Sequence, residues 1–140
     1  MNQQSIVISH TSTDAAYAKA LAAELRALGL KSFTAAGARS VAKMEKIREA
    51  LTAAEWFVVL VSDRSLWSPW INFEFGAALG QGKRVLPVYL SAAAKRRSLH
   101  QFRHLKGVSV ANSPPADAAR KIARVIMSRD GDLRAQKRAS

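Results

Sequence analysis

Glu74 is the only acidic side chain between Asp63 and Asp117 in a chain of 140 residues. Trp70 precedes it at helical i, i+4 spacing, and Phe73 and Phe75 are its chain neighbours. A carboxylate set among aromatic rings has two fates. It can face water at the edge of an apolar stripe, as most charged side chains on helices do. Or it can be drawn into a cleft as a desolvated functional group. Spacing alone leaves both readings open.

The elements that must position Glu74 are written in its flanks. Trp-Phe-Val-Val-Leu-Val-Ser, residues 56–62, is a short continuous apolar run of β-branched and aromatic residues, the pattern of a strand buried on both faces. A polar loop follows. Ser68 then suits a helix N-cap, and Pro69 suits the first helical position, where its missing N–H costs nothing. Gly82 suits the stop. On this predicted helix Ile71, Phe75, Ala78 and Leu79 share a stripe that faces a core. Trp70 and Glu74 share a neighbouring one.

The rest of the chain alternates in the same way. Ser5–Ser9 reads as a short apolar strand, and His10-Thr-Ser-Thr-Asp14 as a polar loop. A helix is predicted from about Asp14, with Tyr17, Leu21, Leu25 and Leu28 along one side and Gly29 at its end. Leu30–Phe33 is the second strand, 34–43 an exposed loop, and Met44–Ala54 a helix with Ile47 and Leu51 inward. Arg84–Leu90 is a strand whose Pro87 marks an edge or a local break in the ladder. A basic, partly helical connection covers 91–106, and Gly107–Ala111 is the last strand. Ser113-Pro-Pro opens a final helix to about Ser128, with Ala119, Ile122, Ala123 and Ile126 on one side. Residues 1–128 form one domain on this reading. Residues 129–140 are expected to be a disordered basic tail or the start of a linker toward a sensor domain.

Strands alternating with helices imply a parallel sheet covered on both faces. Five strands in a chain of this length fit a flavodoxin-like, doubly wound α/β sheet of order 2-1-3-4-5. Such a sheet binds ligands beyond the carboxyl ends of strands one and three, where its winding reverses. Ser9 and His10 follow the first strand there, and Ser62 and Asp63 follow the third. The helix carrying Trp70 and Glu74 starts from the same end, so topology favours the functional reading of this carboxylate.

Composition narrows the field further. The formal net charge is +12, and the chain has no cysteine. Residues 1–82 hold 8 Lys+Arg against 7 Asp+Glu, whereas residues 83–140 hold 14 against 3. The excess favours anionic partners. No aromatic-interleaved basic motif accompanies it, so nucleic-acid binding is not expected beyond the basic tail. No apolar run approaches the roughly 18 residues needed to cross a bilayer, and no leader pattern stands at the start. A reducing, cytoplasmic setting without membrane contact is expected. Without cysteine there is no thiolate metal site. His100 and His104 have i, i+4 spacing but are crowded by Lys and Arg with no carboxylate near, so no metal is expected.

These residues resemble a known family. Ile-Val-Ile-Ser-His10 followed by Asp14 is similar to the first box of TIR (Toll/interleukin-1 receptor) domains. Ile47-Arg-Glu-Ala-Leu51, the run ending Leu60-Val-Ser62, and Ser68-Pro-Trp70-Ile-Asn-Phe-Glu74 with Ala77-Ala78 resemble the segments that follow in prokaryotic members. The resemblance spans about residues 5 to 128. It implies the flavodoxin-like fold. It also implies cleavage of the nicotinamide–ribose bond of NAD+, as hydrolase or cyclase, with Glu74 as the catalytic glutamate. NAD+ is then a substrate, and no cofactor is expected. Further implications are activation by TIR–TIR self-association and a role as effector or signalling module of an antiphage defence protein. The alternative implied is a non-catalytic TIR–TIR scaffold, though such adaptors commonly lack the glutamate. One segment departs from the family: Phe33-Thr-Ala-Ala-Gly-Ala-Arg-Ser-Val41 has neither the usual acid nor the usual proline.

The implied chemistry suits one carboxylate. Nicotinamide leaves neutral from a cationic pyridinium, so no acid is required. What needs help is the oxocarbenium-like ribosyl centre, which an ionised carboxylate can stabilise or capture. A glutamate of ordinary acidity, pKa about 4.3, is ionised at neutral pH unless burial raises it strongly. Trp70 can wall the pocket or merely pack. Ser9, His10 and Ser68 are candidates for ribose or phosphate hydroxyl contacts, although an N-cap role alone would account for Ser68. Phe33 stacks on a base or fills the core, the commoner fate of such a ring. Arg39, Lys43 and Arg64 are further candidates for the diphosphate.

Overall fold

A computed structural model describes residues 5–35, 45, 49, 52–63, 80, 82–97 and 105–139, with side chains of the last helix through 128. The strands are β1 (Ser5–Ser9), β2 (Lys31–Ala35), β3 (Trp56–Val61), β4 (Arg84–Tyr89) and β5 (Val108–Ser109). They form one five-stranded sheet of order β2-β1-β3-β4-β5, and every pairing is parallel. The predicted flavodoxin-like topology is the observed one. The described helices are α1 (Ala15–Ala27), preceded by a 3-10 turn at Ser12–Asp14, α2 (Ala92–Arg97) and α3 (Pro115–Ala139).

Two cores sandwich the sheet. On one face Ile6, Ile8, Trp56, Val58, Leu60, Leu86 and Val88 pack against Leu21 and Leu25 of α1 and Ile122 and Ile126 of α3. On the other, Val7, Phe57, Val59, Val61, Val85 and Tyr89 pack with Ala54 and with Ala94 of α2. Successive strand side chains alternate between these faces. Because both faces are covered, all six residues of β3 are buried, which explains a sequence with no polar alternation.

α1 ends in a Schellman motif. Gly29 takes φ +89°, its N–H donates to Arg26 O at 3.0 Å, and the Leu30 N–H donates to Leu25 O at 3.0 Å. That reversal corrects one expected core position. Leu28 lies past the helix end and is exposed, while Leu30, after the turn, is buried in its place.

Three other boundaries shift. β2 continues to Ala35 because Thr34 and Ala35 still pair with Ile8 and Ser9. Phe33 therefore sits mid-strand rather than at the strand's end. β5 shrinks to two residues, since Asn112 adopts φ +61° and turns the chain soon after. α3 runs past Ser128, the expected end of the helix, to Ala139. The single Gly131 is too weak a break against the helix-forming Leu, Arg, Ala, Gln and Lys around it. The expected loop at 36–43, the inward Ile47 and Leu51, and the Ser68–Leu79 helix lie outside the described residues. Past that last segment, Gly80 has helical backbone and Gly82 takes φ +71°, which suits a helix stop.

Pro87 is accommodated by the short β5. It pairs with Val59 on one side, while β5 begins its own pairing with β4 only at Val88. Beside it, Gly107 has no room for a side chain: a Cβ there would come within 2.5 Å of the Tyr89 ring and 2.8 Å of the Pro87 carbonyl oxygen. The carbonyl is fixed in the sheet and cannot yield cheaply. Gly107→Ala should therefore lower stability by about 1–3 kcal/mol, read as a lower urea midpoint at unchanged m-value.

Tyr17 joins α1 to the entry of α3, its hydroxyl donating to Ser113 O at 3.2 Å. Burial raises its pKa above the ordinary 10.0. A raised folded-state pKa means stability that is complete below pH 10 and declines as pH climbs through the folded value. Tyr17→Phe should cost about 0.5–1.5 kcal/mol at neutral pH. It should also flatten the alkaline fall in stability above pH 10, measured by denaturant titration across that range.

Candidate functional site at the carboxyl edge of β1 and β3

The carboxyl ends of β1 and β3 lie side by side, with Ser9 registered on Val59. The first residues beyond β3 are Ser62, partly exposed, and Asp63, exposed. Beyond β1 the His10 N–H donates to Ala35 O at 3.1 Å, which binds the β1 exit to the end of β2. Ser9 is fully buried and His10 is 4% exposed. Both stand at the predicted edge, but neither offers an open surface.

The His10 ring has a fixed orientation. Its Nδ1 lies 2.8 Å from the Thr11 carbonyl oxygen. A carbonyl only accepts, so the proton belongs on Nδ1, and in the neutral ring Nε2 keeps the lone pair. His10 Nε2 can thus accept a hydrogen bond but not donate one.

Asp14 and Thr11 join the site, and neither stood among the candidates. Asp14 Oδ2 accepts from Ser62 Oγ at 2.7 Å and from Thr11 Oγ1 at 3.2 Å. The carboxylate sits at the N-terminal end of α1, where the helix dipole favours negative charge. The local signal was the Thr-x-x-Asp spacing, which allows a side-chain bond across one turn. The Ser62 partner gave no local signal, because it lies 48 positions away.

Further along the edge, Arg97 at the end of α2 reaches Asp63 Oδ1 at 3.8 Å, with both side chains more than half exposed. α2 is capped by Ser91, whose Oγ accepts from the Ala94 N–H at 3.0 Å.

Phe33 is not at the strand tips. It pairs with Val7, two residues back from Ser9, or roughly 7 Å along the strand. It is 39% exposed and belongs to neither core, so the core-filling reading is corrected. As an edge-strand residue it is left half open, and the Lys31 ammonium lies 5.7 Å from its ring centroid. Glu74, Ser68 and Trp70 lie outside the described residues, as do Arg39, Lys43, Arg64, His100 and His104. Among the described residues no group of three or more His, Asp or Glu is placed to hold a metal ion. No helix among them is long and apolar enough to cross a membrane.

The model of the TIR domain family matches residues 6–126, nearly the whole folded body. The chain belongs to the TIR domain family. Comparison with curated proteins gives no significant match. The family match to this TIR domain begins in β1 and ends at Ile126, the last buried residue of α3 on the sheet. It therefore takes in all five strands and the edge where Ser9, His10, Asp14 and Ser62 meet.

The two kinds of polar contact at this edge differ in weight. Asp14→Ala removes a charged acceptor from two hydroxyls and should cost about 1–3 kcal/mol in urea unfolding. Arg97→Ala breaks only an exposed pair and should change stability by less than about 1 kcal/mol in the same measurement.

Proposed function

We propose that this TIR domain cleaves the nicotinamide–ribose bond of NAD+, with Glu74 as the catalytic carboxylate. The supporting observation is the Ser68-x-Trp70-x-x-x-Glu74 element in a chain of TIR family membership, a family that includes NAD+-cleaving enzymes. Ser62 and Asp63, a few residues ahead of it in the sequence, stand at the carboxyl edge where doubly wound sheets bind ligands.

In the proposed reaction the C–N bond to nicotinamide breaks, and nicotinamide departs neutral with the bonding pair. The ribosyl centre becomes cationic, and the ionised Glu74 stabilises it or captures it covalently. Water then supplies hydroxide to the anomeric carbon and releases a proton, giving ADP-ribose. If an adenine nitrogen attacks instead, the product is cyclic. Ser68 is proposed to hold a ribose hydroxyl or a phosphate oxygen; Ser9 and His10, being buried, are proposed to brace the loop beyond β1 and not to meet the substrate. Trp70 and the half-open Phe33 are proposed as flat surfaces for the nicotinamide and adenine rings. Self-association completes the site, and the module serves as an effector or signal generator in a cytoplasmic antiphage defence protein.

Nicotinamide release from NAD+ tests this reading. Wild-type protein should release it at a rate that rises more than linearly with protein concentration. Glu74→Gln should lower the rate by about 10²-fold or more. A Glu74→Gln protein matching the wild type would remove the assignment. Concentrated wild type that leaves NAD+ intact would leave the scaffold reading in its place.

A further inference from the structure

The chain leaving β4 is fastened to the end of β3. The Leu90 N–H donates to Val61 O at 2.9 Å, and Ala94 of α2 is buried in the cluster that holds Val61 and Tyr89. Ser91 caps α2, so this helix starts at the carboxyl edge of the sheet. Its last three residues, Lys95, Arg96 and Arg97, are all cationic and all exposed. Arg97 Nη1 stands 3.8 Å from Asp63 Oδ1. Asp63 follows Ser62, whose Oγ donates to Asp14. Contacts within the described residues therefore hold Arg97 at the edge where Ser62 and Asp14 meet.

We propose that Arg97 binds the diphosphate of the dinucleotide, giving up its loose pair with Asp63 when the ligand enters. At 3.8 Å the guanidinium makes no hydrogen bond to Asp63. Both side chains are more than half exposed, so water screens the attraction. A guanidinium presents its donors as a planar fork that meets phosphate oxygens two at a time. Lys95 and Arg96 add to the positive potential around it. A doubly charged diphosphate therefore outbids one solvated carboxylate. Asp63 is the resting counter-ion, which keeps the guanidinium at the edge while the site is empty. The inference rests on the reading of NAD+ as the substrate, and it needs nothing from how Glu74 is placed.

The test is equilibrium binding of ADP-ribose, which carries the diphosphate and has no nicotinamide bond to cleave. Calorimetry compares wild type with Arg97→Ala, Arg97→Lys and Asp63→Asn, each below its own melting temperature. Lys83→Ala is the control, because it removes an equal charge at the opposite edge, just ahead of β4. Arg97→Ala should weaken ADP-ribose binding by about tenfold or more, the loss of a charge-assisted contact. Arg97→Lys keeps the charge without the fork and should recover about threefold of that loss. Asp63→Asn removes the competitor and should tighten binding by about two- to fivefold. Lys83→Ala should stay within about twofold of wild type. In nicotinamide release, Arg97→Ala should raise KM for NAD+ by about tenfold with kcat within about threefold, since the diphosphate is held alike before and during bond cleavage.

Arg97→Ala that binds ADP-ribose within about twofold of wild type overturns the proposal, and leaves the basic end of α2 as charge that only offsets the helix dipole. An equal loss in Lys83→Ala also overturns it, because the effect is then one of net charge. So does wild type that fails to bind ADP-ribose at about 1 mM. Wild type that binds ADP-ribose through Arg97 yet leaves NAD+ whole sinks the cleavage reading and keeps this site. Wild type that cleaves NAD+ with a KM indifferent to Arg97→Ala sinks this inference alone.

Discussion

The structure depends on the complete burial of β3. Six consecutive residues, Trp56–Val61, are shut away from water between two packed layers. A strand in that setting has every backbone N–H and C=O committed to its neighbours, because an unpaired group there would cost the desolvation of a polar atom. β1 and β4 must therefore flank it in register. No side chain along β3 can meet a dissolved ligand. Function is displaced to the strand tips, and Ser62 is the first residue past β3 to regain solvent.

Parallel pairing adds direction to that displacement. Each strand must be joined to the next by a crossover, so all the chain exits from strands gather at one edge. Here β1 and β3 deliver Ser9, His10, Thr11 and Ser62 to a common place. Asp14 supplies the charge that orders two hydroxyls there. The cost of collecting polar groups at a sheet edge is partly offset by the N-terminal dipole of α1, which points at the same spot.

The sequence patterns that proved legible were those with a local physical cause. The unbroken apolar run of β3, the inward face of α3 and the glycine stop after α1 each follow from periodicity or φ alone. The strand order followed from alternation and crossover rules, and the order in turn located Ser9, His10 and Ser62. What escaped was set by tertiary context. Leu28 fits the helical stripe of α1 but falls beyond its end, so Leu30 fills the core instead. Phe33 looks like a core residue, yet it sits on the outermost strand with a flank open. Asp14 resembled an ordinary helix opener, because its partner Ser62 is remote in sequence and only the folded sheet brings them together.

The two-residue β5 has a consequence for how copies of this chain can meet. Sheets often recruit a stray strand along an outer margin, where a row of vacant amides and carbonyls serves as a template. On the β5 side that row is nearly absent: the outermost strand is Val108–Ser109, and the turn at Asn112 bends the backbone away. Sheet-to-sheet continuation across this margin is thus blunted by design of the backbone. The opposite margin keeps a longer template, since its outer strand β2 runs five residues, so an added strand would find its ladder there and not beside β5.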